Sequence, residues 1–316
     1  MSTLRLVFLG TSAAVPQKDR YLSSIALQTG EGEILLFDCG EGTQYQVMRF
    51  NVNYQKITKI FLSHLHGDHI FGLFGLLNTM NLMDRERELI IYGPPGTRKY
   101  LKRIFGPAEN LGFSFPIEIK LVTSGLVCDE KDYSIYCQSL LHSVLSLGYA
   151  FIERDRPGRF YPEKARKLNI PKGDKWNKLQ EGESVLSKNN KTITPEMVMG
   201  EKRRGYKIVI AYDGRYDFDE FISFAKNADV LVLEATFSDE KAELAKERLH
   251  STARESAKIA AKADAHSLYL THISPRENNG ERLLKEAKEC FSNVYIAHDG
   301  LELNLNWKDL DDRINQ

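Results

Sequence analysis

Ile60-Phe61-Leu62-Ser63-His64-Leu65-His66-Gly67-Asp68-His69 decides the fold. A short apolar run of strand type ends abruptly in three imidazoles and a carboxylate within six residues. Packing alone does not explain such a cluster, because these groups repel or stay half-satisfied unless something cationic holds them. Neutral imidazole with carboxylate is the common ligand set for zinc, and four such groups are enough to begin a site for two ions. His64 and His66, two apart on extended backbone, face one side and can share one metal. Asp68 and His69 follow the Gly67 turn and can serve a second. The bland alternative, a solvated polar loop, accounts poorly for this density of ligands.

The same layout recurs along the chain. Ile34–Phe37 runs into Asp38-Cys39-Gly40-Glu41-Gly42, Ile208–Ala211 into Tyr212-Asp213-Gly214, and Val230–Leu233 into Glu234-Ala235-Thr236. Leu268–Leu270 runs into Thr271-His272, and Val294–Ala297 into His298-Asp299-Gly300. These read as buried strands whose C-terminal ends deliver polar residues to one rim, the usual site layout of α/β proteins. Helices lie between them. Ile70, Leu73, Phe74, Leu77 and Met80 form an apolar stripe at helical spacing. Thr252-Ala253-Arg254-Glu255 is a capping box opening a helix to Ala263, and Glu281–Glu289 is a third amphipathic helix.

A two-metal site needs roughly seven protein ligands, so later strand ends must supply the rest. His142 follows the strand Tyr133–Gln138, Asp213 ends the strand Lys207–Ala211, and His272 ends Leu268–Leu270. Asp213 is the natural bridge, since one carboxylate between two cations offsets their repulsion. Asp38 reads as a buried carboxylate that takes an imidazole N–H and fixes a ligand's tautomer, with a turn-forming role as the alternative. His250, before Ser251-Thr252 at a helix mouth, could protonate a leaving group or serve only the cap. His266 reads as a surface residue and His298 as structural.

Composition narrows the class. The 316 residues carry 43 Lys+Arg and 43 Asp+Glu, so net charge says nothing about nucleic acid. Local charge does. Arg154, Arg156, Arg159, Lys164, Arg166, Lys167, Lys172, Lys175 and Lys178 face only Asp155, Glu163 and Asp174, with Phe160, Tyr161 and Trp176 interleaved. This segment is polar, proline-bearing and without strand-length apolar runs, and such a long irregular insertion beside a metal site is more often functional than idle. The four cysteines are scattered without a CxxC pair, which fits a reducing compartment. The expected location is cytoplasmic: the first residues read as a strand rather than a secretion signal, and no apolar run reaches membrane-span length.

With these residues in view, the chain resembles RNase Z, the tRNA 3′-endonuclease family of the metallo-β-lactamase superfamily. Ser63–His69 carries the superfamily signature. Phe8-Leu-Gly-Thr-Ser-Ala-Ala-Val-Pro16, Phe37-Asp-Cys-Gly-Glu-Gly-Thr-Gln44, Arg156-Pro-Gly-Arg-Phe160, Glu234-Ala-Thr-Phe237 and His250-Ser-Thr-Ala253 are the more specific matches. The resemblance implies an α/β metallo-β-lactamase αββα sandwich over residues 1–316. It also implies an inserted flexible arm, or exosite, at 154–183, whose basic residues grip tRNA. It assigns His64, His66 and His142 to one zinc, and Asp68, His69 and His272 to the other, with Asp213 bridging both Zn²⁺. It makes Asp68 and His250 catalytic, Asp68 orienting the attacking water and His250 protonating the departing 3′ oxygen. It implies precursor tRNA as the substrate, cut to leave a 3′-hydroxyl and a trailer with a 5′-phosphate, and a homodimeric assembly. This chain departs from the family pattern at Tyr21, at Gly214 after Asp213, and at Glu277. Rival readings are another hydrolase or phosphodiesterase of this fold acting on a small substrate, a di-iron redox protein, and a non-catalytic RNA-binding module.

Overall fold

The computed structural model describes residues 3–107, 109–277 and 280–314. The chain divides into two compact units. The larger comprises 1–130, 134–152 and 207–316; the smaller comprises 153–206 with 131–133.

Two seven-stranded sheets build the larger unit. In the first, Ile34–Phe37, Ile57–Phe61, Leu89–Gly93 and Ile117–Leu121 run parallel, flanked by the antiparallel Ser24–Gln28, Thr3–Gly10 and Glu302–Asn306. In the second, Lys207–Ala211, Val230–Glu234, Leu268–Thr271 and Val294–Ile296 run parallel. Ser146–Glu153 joins them antiparallel, followed in the sheet by Tyr133–Leu140 and Gly125–Asp129. Strands buried on both faces read as continuous apolar runs rather than alternating ones. Ile57-Thr-Lys-Ile-Phe61 is buried throughout, with Lys59 neutralised by Glu33 at 2.8 Å and Glu130 at 3.1 Å.

The sheets meet through aromatic side chains. Tyr149 of the second packs on Phe61 of the first at 5.4 Å between ring centroids, and its hydroxyl donates to the Leu62 carbonyl at 2.8 Å. Outside each sheet lies a helical layer. Val47, Leu73, Leu76, Leu77, Met80 and Leu101 cover the first, and Ala253, Ala257, Ala260, Leu283 and Ala287 cover the second. Each sheet therefore has a tight inner face and a helix-covered outer face, the αββα order of layers.

The expected strands and helices form close to their predicted bounds, with two instructive differences. The stripe from Ile70 to Met80 breaks at Phe71 into a single turn, Gly67–Ile70, and a helix, Gly72–Leu82. The break seats the turn carrying Asp68 and His69 on the loop after Ile34–Phe37, where Cys39 N–H donates to the His69 carbonyl at 2.8 Å. The fit is tight: a Cβ on Gly72 would stand 2.0 Å from the Gly40 oxygen. Phe74, read from its spacing as inward-facing, is instead 56% exposed.

The second difference lies in the insertion. It is not structureless. Helices Pro162–Lys167 and Asp174–Gln180 and a small hairpin, Val185–Leu186 with Thr192–Ile193, close over a core of Ala165, Ile170, Trp176, Leu179, Val185, Ile193 and Val198. Apolar residues scattered through a polar segment supply this core, so no run of strand length announced it. Among the described residues, no helix is long and apolar enough to cross a membrane.

Candidate metal centre

Six strand ends and turns of the larger unit converge at one edge of the sandwich. His64, His66, His142 and Asp213 bring one ligand atom each within 4.8 Å of one another. Asp68, His69, Asp213 and His272 do the same. Asp213 belongs to both groups. Its Oδ2 lies 3.7 Å from His64 Nε2 and 3.8 Å from His142 Nε2, and its Oδ1 lies 2.9 Å from His272 Nε2 and 3.3 Å from His69 Nε2. The carboxylate thus faces both sets at once.

The surrounding hydrogen bonds dictate where each imidazole keeps its lone pair. Asp38 is fully buried, and its Oδ1 accepts the Ser63 N–H at 2.6 Å. Its Oδ2 accepts the Ser63 hydroxyl at 2.6 Å and stands 2.6 Å from His69 Nδ1. An ionised carboxylate only accepts, so His69 Nδ1 carries the hydrogen and Nε2 is left for another partner. The Ser63 hydroxyl, spent on Asp38, accepts from His64 Nδ1 at 2.9 Å, which again leaves Nε2 free. His142 Nδ1 faces the Leu249 carbonyl at 3.2 Å and must be the donor. Thr236 donates its hydroxyl to Glu234 and so accepts from His272 Nδ1 at 2.9 Å. Four rings in four different elements are therefore turned the same way, with Nε2 inward.

Among the described residues, several of these inward atoms lack a partner. His69 Nε2, His272 Nε2 and Asp213 Oδ1 are buried without a hydrogen bond of acceptable alignment, despite their closeness. His64 Nε2 stands 2.9 Å from His66 Nδ1, and His142 Nε2 stands 3.4 Å from the same atom. Unpaired buried polar atoms cost about 1–3 kcal/mol each, and several lone pairs aimed at one point ask for a cation. The titration directions agree. Burial, then His69, hold His64 well below its usual pKa, keeping that ring neutral. At His272 burial also disfavours charge, but Asp213 and Asp68 outweigh it and push the ring up to about 10. Without a cation a proton takes its place, and metal binding would expel it. The donor set fits a divalent metal.

Asp68 Oδ2 accepts the Ala14 N–H at 2.9 Å and lies 3.6 Å from both His69 Nε2 and His272 Nε2. His250 stands at the mouth, its ring 5.1 Å from His142 and 5.7 Å from His272 between centroids. Its Nδ1 meets Glu234 Oε2 at 3.0 Å and Oε1 at 3.2 Å. Burial opposes protonation of His250, but the Glu234 carboxylate outweighs it and raises the pKa above the ordinary value. An open cavity of about 750 Å³ runs over these groups, lined in part by His66, Asp68, Asp213, His250 and His272, with Arg248 and Arg276 beside them.

Sequence reasoning left Ser63, Glu234 and Thr236 without a role, although all three orient proposed ligands or His250. Their signals were strand-end position and membership of the matched motifs Ser63–His69 and Glu234–Phe237, neither of which names a partner. His266 is exposed, in keeping with a surface residue, and His298 is also exposed, its Nδ1 meeting the Asp299 carbonyl at 3.1 Å; neither lines the cavity. Beside His298, Asp299 accepts the Thr11 hydroxyl at 2.8 Å and the Tyr21 N–H at 2.6 Å. Glu277 is buried and pairs with Lys241 at 2.5 Å. In the smaller unit the basic residues differ among themselves. Arg156 is buried and donates to the Arg204 carbonyl at 3.0 Å. Lys164 lies over the Tyr161 ring at 4.5 Å, and Arg166 over Trp176 at 5.8 Å. Trp176 itself is a core residue stacked near Phe160, so it offers no exposed platform for bases.

Four layers with a doubled His/Asp cluster at one edge define a protein of the metallo-β-lactamase fold with a candidate divalent-metal centre. The metallo-β-lactamase fold protein YhfI from Bacillus subtilis superposes with a TM-score of 0.70 at 20% identity, covering 96% of this chain and all of that one. Human tRNase Z, short form, superposes with a TM-score of 0.68 at 29% identity, covering 96% and 99%. Ribonuclease Z of Myxococcus xanthus is 41% identical over 98% of this chain and 100% of its own length. That of Nitrosopumilus maritimus is 41% identical over 96% and 100%. A family model described as anti-Pycsar protein Apyc1 matches residues 4–104. The chain belongs to the ribonuclease Z family.

Asp38→Asn presents an amide N–H₂ toward a ring N–H and disturbs the His69 tautomer. It is expected to weaken metal affinity by about 10–100-fold, measured by competition with a chelating dye; unchanged affinity would remove Asp38 from the site's support.

Proposed function

We propose that this ribonuclease Z-family endoribonuclease removes the 3′ trailer from precursor tRNA, using two Zn²⁺ ions held as follows. His64, His66 and His142 hold one, Asp68, His69 and His272 hold the other, and Asp213 bridges. The observation that carries the reading is the shared carboxylate, one oxygen toward each imidazole group. When bound, a divalent pair supplies Lewis-acid stabilisation of phosphoryl oxygens and lowers the pKa of water. The chain's own residues do the rest. Asp68, anchored by the Ala14 N–H, orients the attacking water and takes its proton. His250, whose protonated form Glu234 favours, protonates the departing 3′ oxygen. The products are a 3′-hydroxyl on the tRNA and a 5′-phosphate on the trailer.

Exposed bases of the smaller unit, Arg154, Arg159, Lys164, Arg166, Lys167, Lys172 and Lys178 among them, together with the half-buried Lys175, contact tRNA phosphates and supply affinity and register rather than base reading. Arg156, being buried, acts by holding that unit together. The insertion is what sets this reading above a small-substrate hydrolase of the same fold, which has no need of a basic unit. The cytoplasm is the proposed compartment, consistent with four cysteines that are all free.

The enzyme is proposed to work as a homodimer. Tyr45 and Met48 on the helix Thr43–Arg49, with Phe71, Phe74, Leu82 and Met83 on and beside Gly72–Leu82, are each about half exposed or more. The two helices are neighbours, since a Cβ on Gly75 would meet the Gln44 side chain at 2.4 Å. Large apolar residues grouped in this way mark an interaction face, and Phe74 pointing outward suits a second copy. Phe74→Asp is expected to give monomers by sedimentation where the parent protein is dimeric; a monomeric parent would refute the assembly.

Incubation with a 3′-extended precursor tRNA, mapped to single-nucleotide resolution, tests the activity. One cut at the trailer junction, abolished by a chelator and restored by zinc, is expected; a chelator-resistant cut, or none, refutes it. His250→Ala should lower turnover by ~10²–10⁴-fold with metal content unchanged. Loss of metal would make His250 a ligand instead.

A further inference from the structure

The helix Thr97–Phe105, Thr-Arg-Lys-Tyr-Leu-Lys-Arg-Ile-Phe, belongs to the larger unit and has no part in the site described above. Arg98, Lys99, Lys102 and Arg103 are all exposed on it, and it has no acidic residue. Its opposite face is anchored: Thr97 and Leu101 are buried, and Tyr100 and Phe105 pack on the core. The charges suit the helix only in part, since its dipole favours Lys102 and Arg103 in the last turn. Arg98 with Lys102, and Lys99 with Arg103, are like-charge pairs four residues apart, each destabilising by a few tenths of a kcal/mol. Arg98 and Lys99 also sit in the first turn, where the helix dipole disfavours cations.

Little compensates them. Among the described residues no carboxylate pairs with Lys99, Lys102 or Arg103, and Arg98 donates only to the Ile119 carbonyl, at 2.5 Å. Lys120 nearby is already engaged by Glu118 at 3.1 Å. With Gly96 and the exposed Leu121, the four bases line a shallow concavity. The helix begins beside the ligand loop: a Cβ on Gly96 would stand 3.6 Å from the Leu65 methyl, between His64 and His66.

We infer that this basic face binds the phosphate backbone of the single-stranded 3′ trailer as it leaves the ligand loop. The inference rests on the endoribonuclease reading and extends it. A strip one helix wide and about 13 Å long suits an extended strand rather than a folded RNA body. Its charge complements phosphate, and its position beside the loop adjoins the cut. It carries no exposed aromatic ring for base stacking, so the contact is electrostatic and tolerant of sequence.

The test is a series of precursors with trailers of increasing length, from one nucleotide upward, assayed with the full-length enzyme. KM of the parent enzyme should fall as the trailer lengthens. It should rise steeply with salt for the long trailer, by about 20-fold more than for the short one between about 50 and about 200 mM if three phosphates are contacted. Lys99→Glu/Lys102→Glu/Arg103→Glu should abolish both effects. Lys167→Glu/Lys172→Glu, in the smaller unit, should instead raise KM at every trailer length. The neutral triple variant, Lys99→Gln/Lys102→Gln/Arg103→Gln, keeps the reading testable if charge reversal impairs folding, and should flatten the length dependence in the same direction. A parent enzyme that cuts but shows no length dependence overturns the inference. So does a helix variant matching the parent at every length, which would make the face merely solvated. So does a KM raised equally for the one-nucleotide trailer, which would place the contact on the tRNA body. A parent enzyme that cuts no precursor would instead refute the activity on which the inference stands.

Discussion

Everything at this edge of the molecule depends on lone pairs that face one another. Four histidines each give the Nδ1 hydrogen outward, to Asp38, Ser63, Leu249 or Thr236, and keep Nε2 inward. His66 contributes Nδ1 to the same space, and Asp213 divides its two oxygens across it. Leaving such atoms unpaired in a buried setting is costly. A positive ion resolves the conflict, and the two overlapping sets make room for two.

The fold exists to hold that arrangement. Parallel strands put their C-terminal ends on one side of each sheet, and the two sheets, locked through Tyr149, Phe61 and Phe37, bring those ends together. Asp38 ends one strand of the first sheet and Glu234 one of the second, and each supports a histidine from another element. Asp38 does so in a left-handed backbone conformation, φ 57°, as does His272 at φ 55°. Such conformations cost of order 1–3 kcal/mol and persist where surrounding contacts determine them. Here the contacts are the hydrogen bonds that aim the rings.

Much of this was legible in the sequence. Apolar runs of three or four residues ending in Asp, His or Glu announced the strands, and seven His and Asp residues at or just after such ends announced the site. The supporting residues were harder to read. Ser63 and Thr236 are common residues whose role comes from a hydroxyl turned toward a histidine near in space, and Glu234 shares its strand-end position with residues that do nothing similar. Phe74 fits a helical stripe by spacing, but the buried face runs through Leu73, Leu76, Leu77 and Met80 and leaves it pointing outward. In the insertion, Trp176 and Phe160 look like aromatics placed among bases to stack on RNA. They are instead the core of a unit too small to show a periodic pattern.

The count of divalent ions tests the central claim most directly, by elemental analysis of fully loaded protein beside its Asp213→Ala variant. A shared carboxylate predicts two ions per chain in the parent and loss of both, or retention of one only weakly, in the variant. A saturated parent holding a single ion, or a variant that keeps two at undiminished affinity, would contradict it.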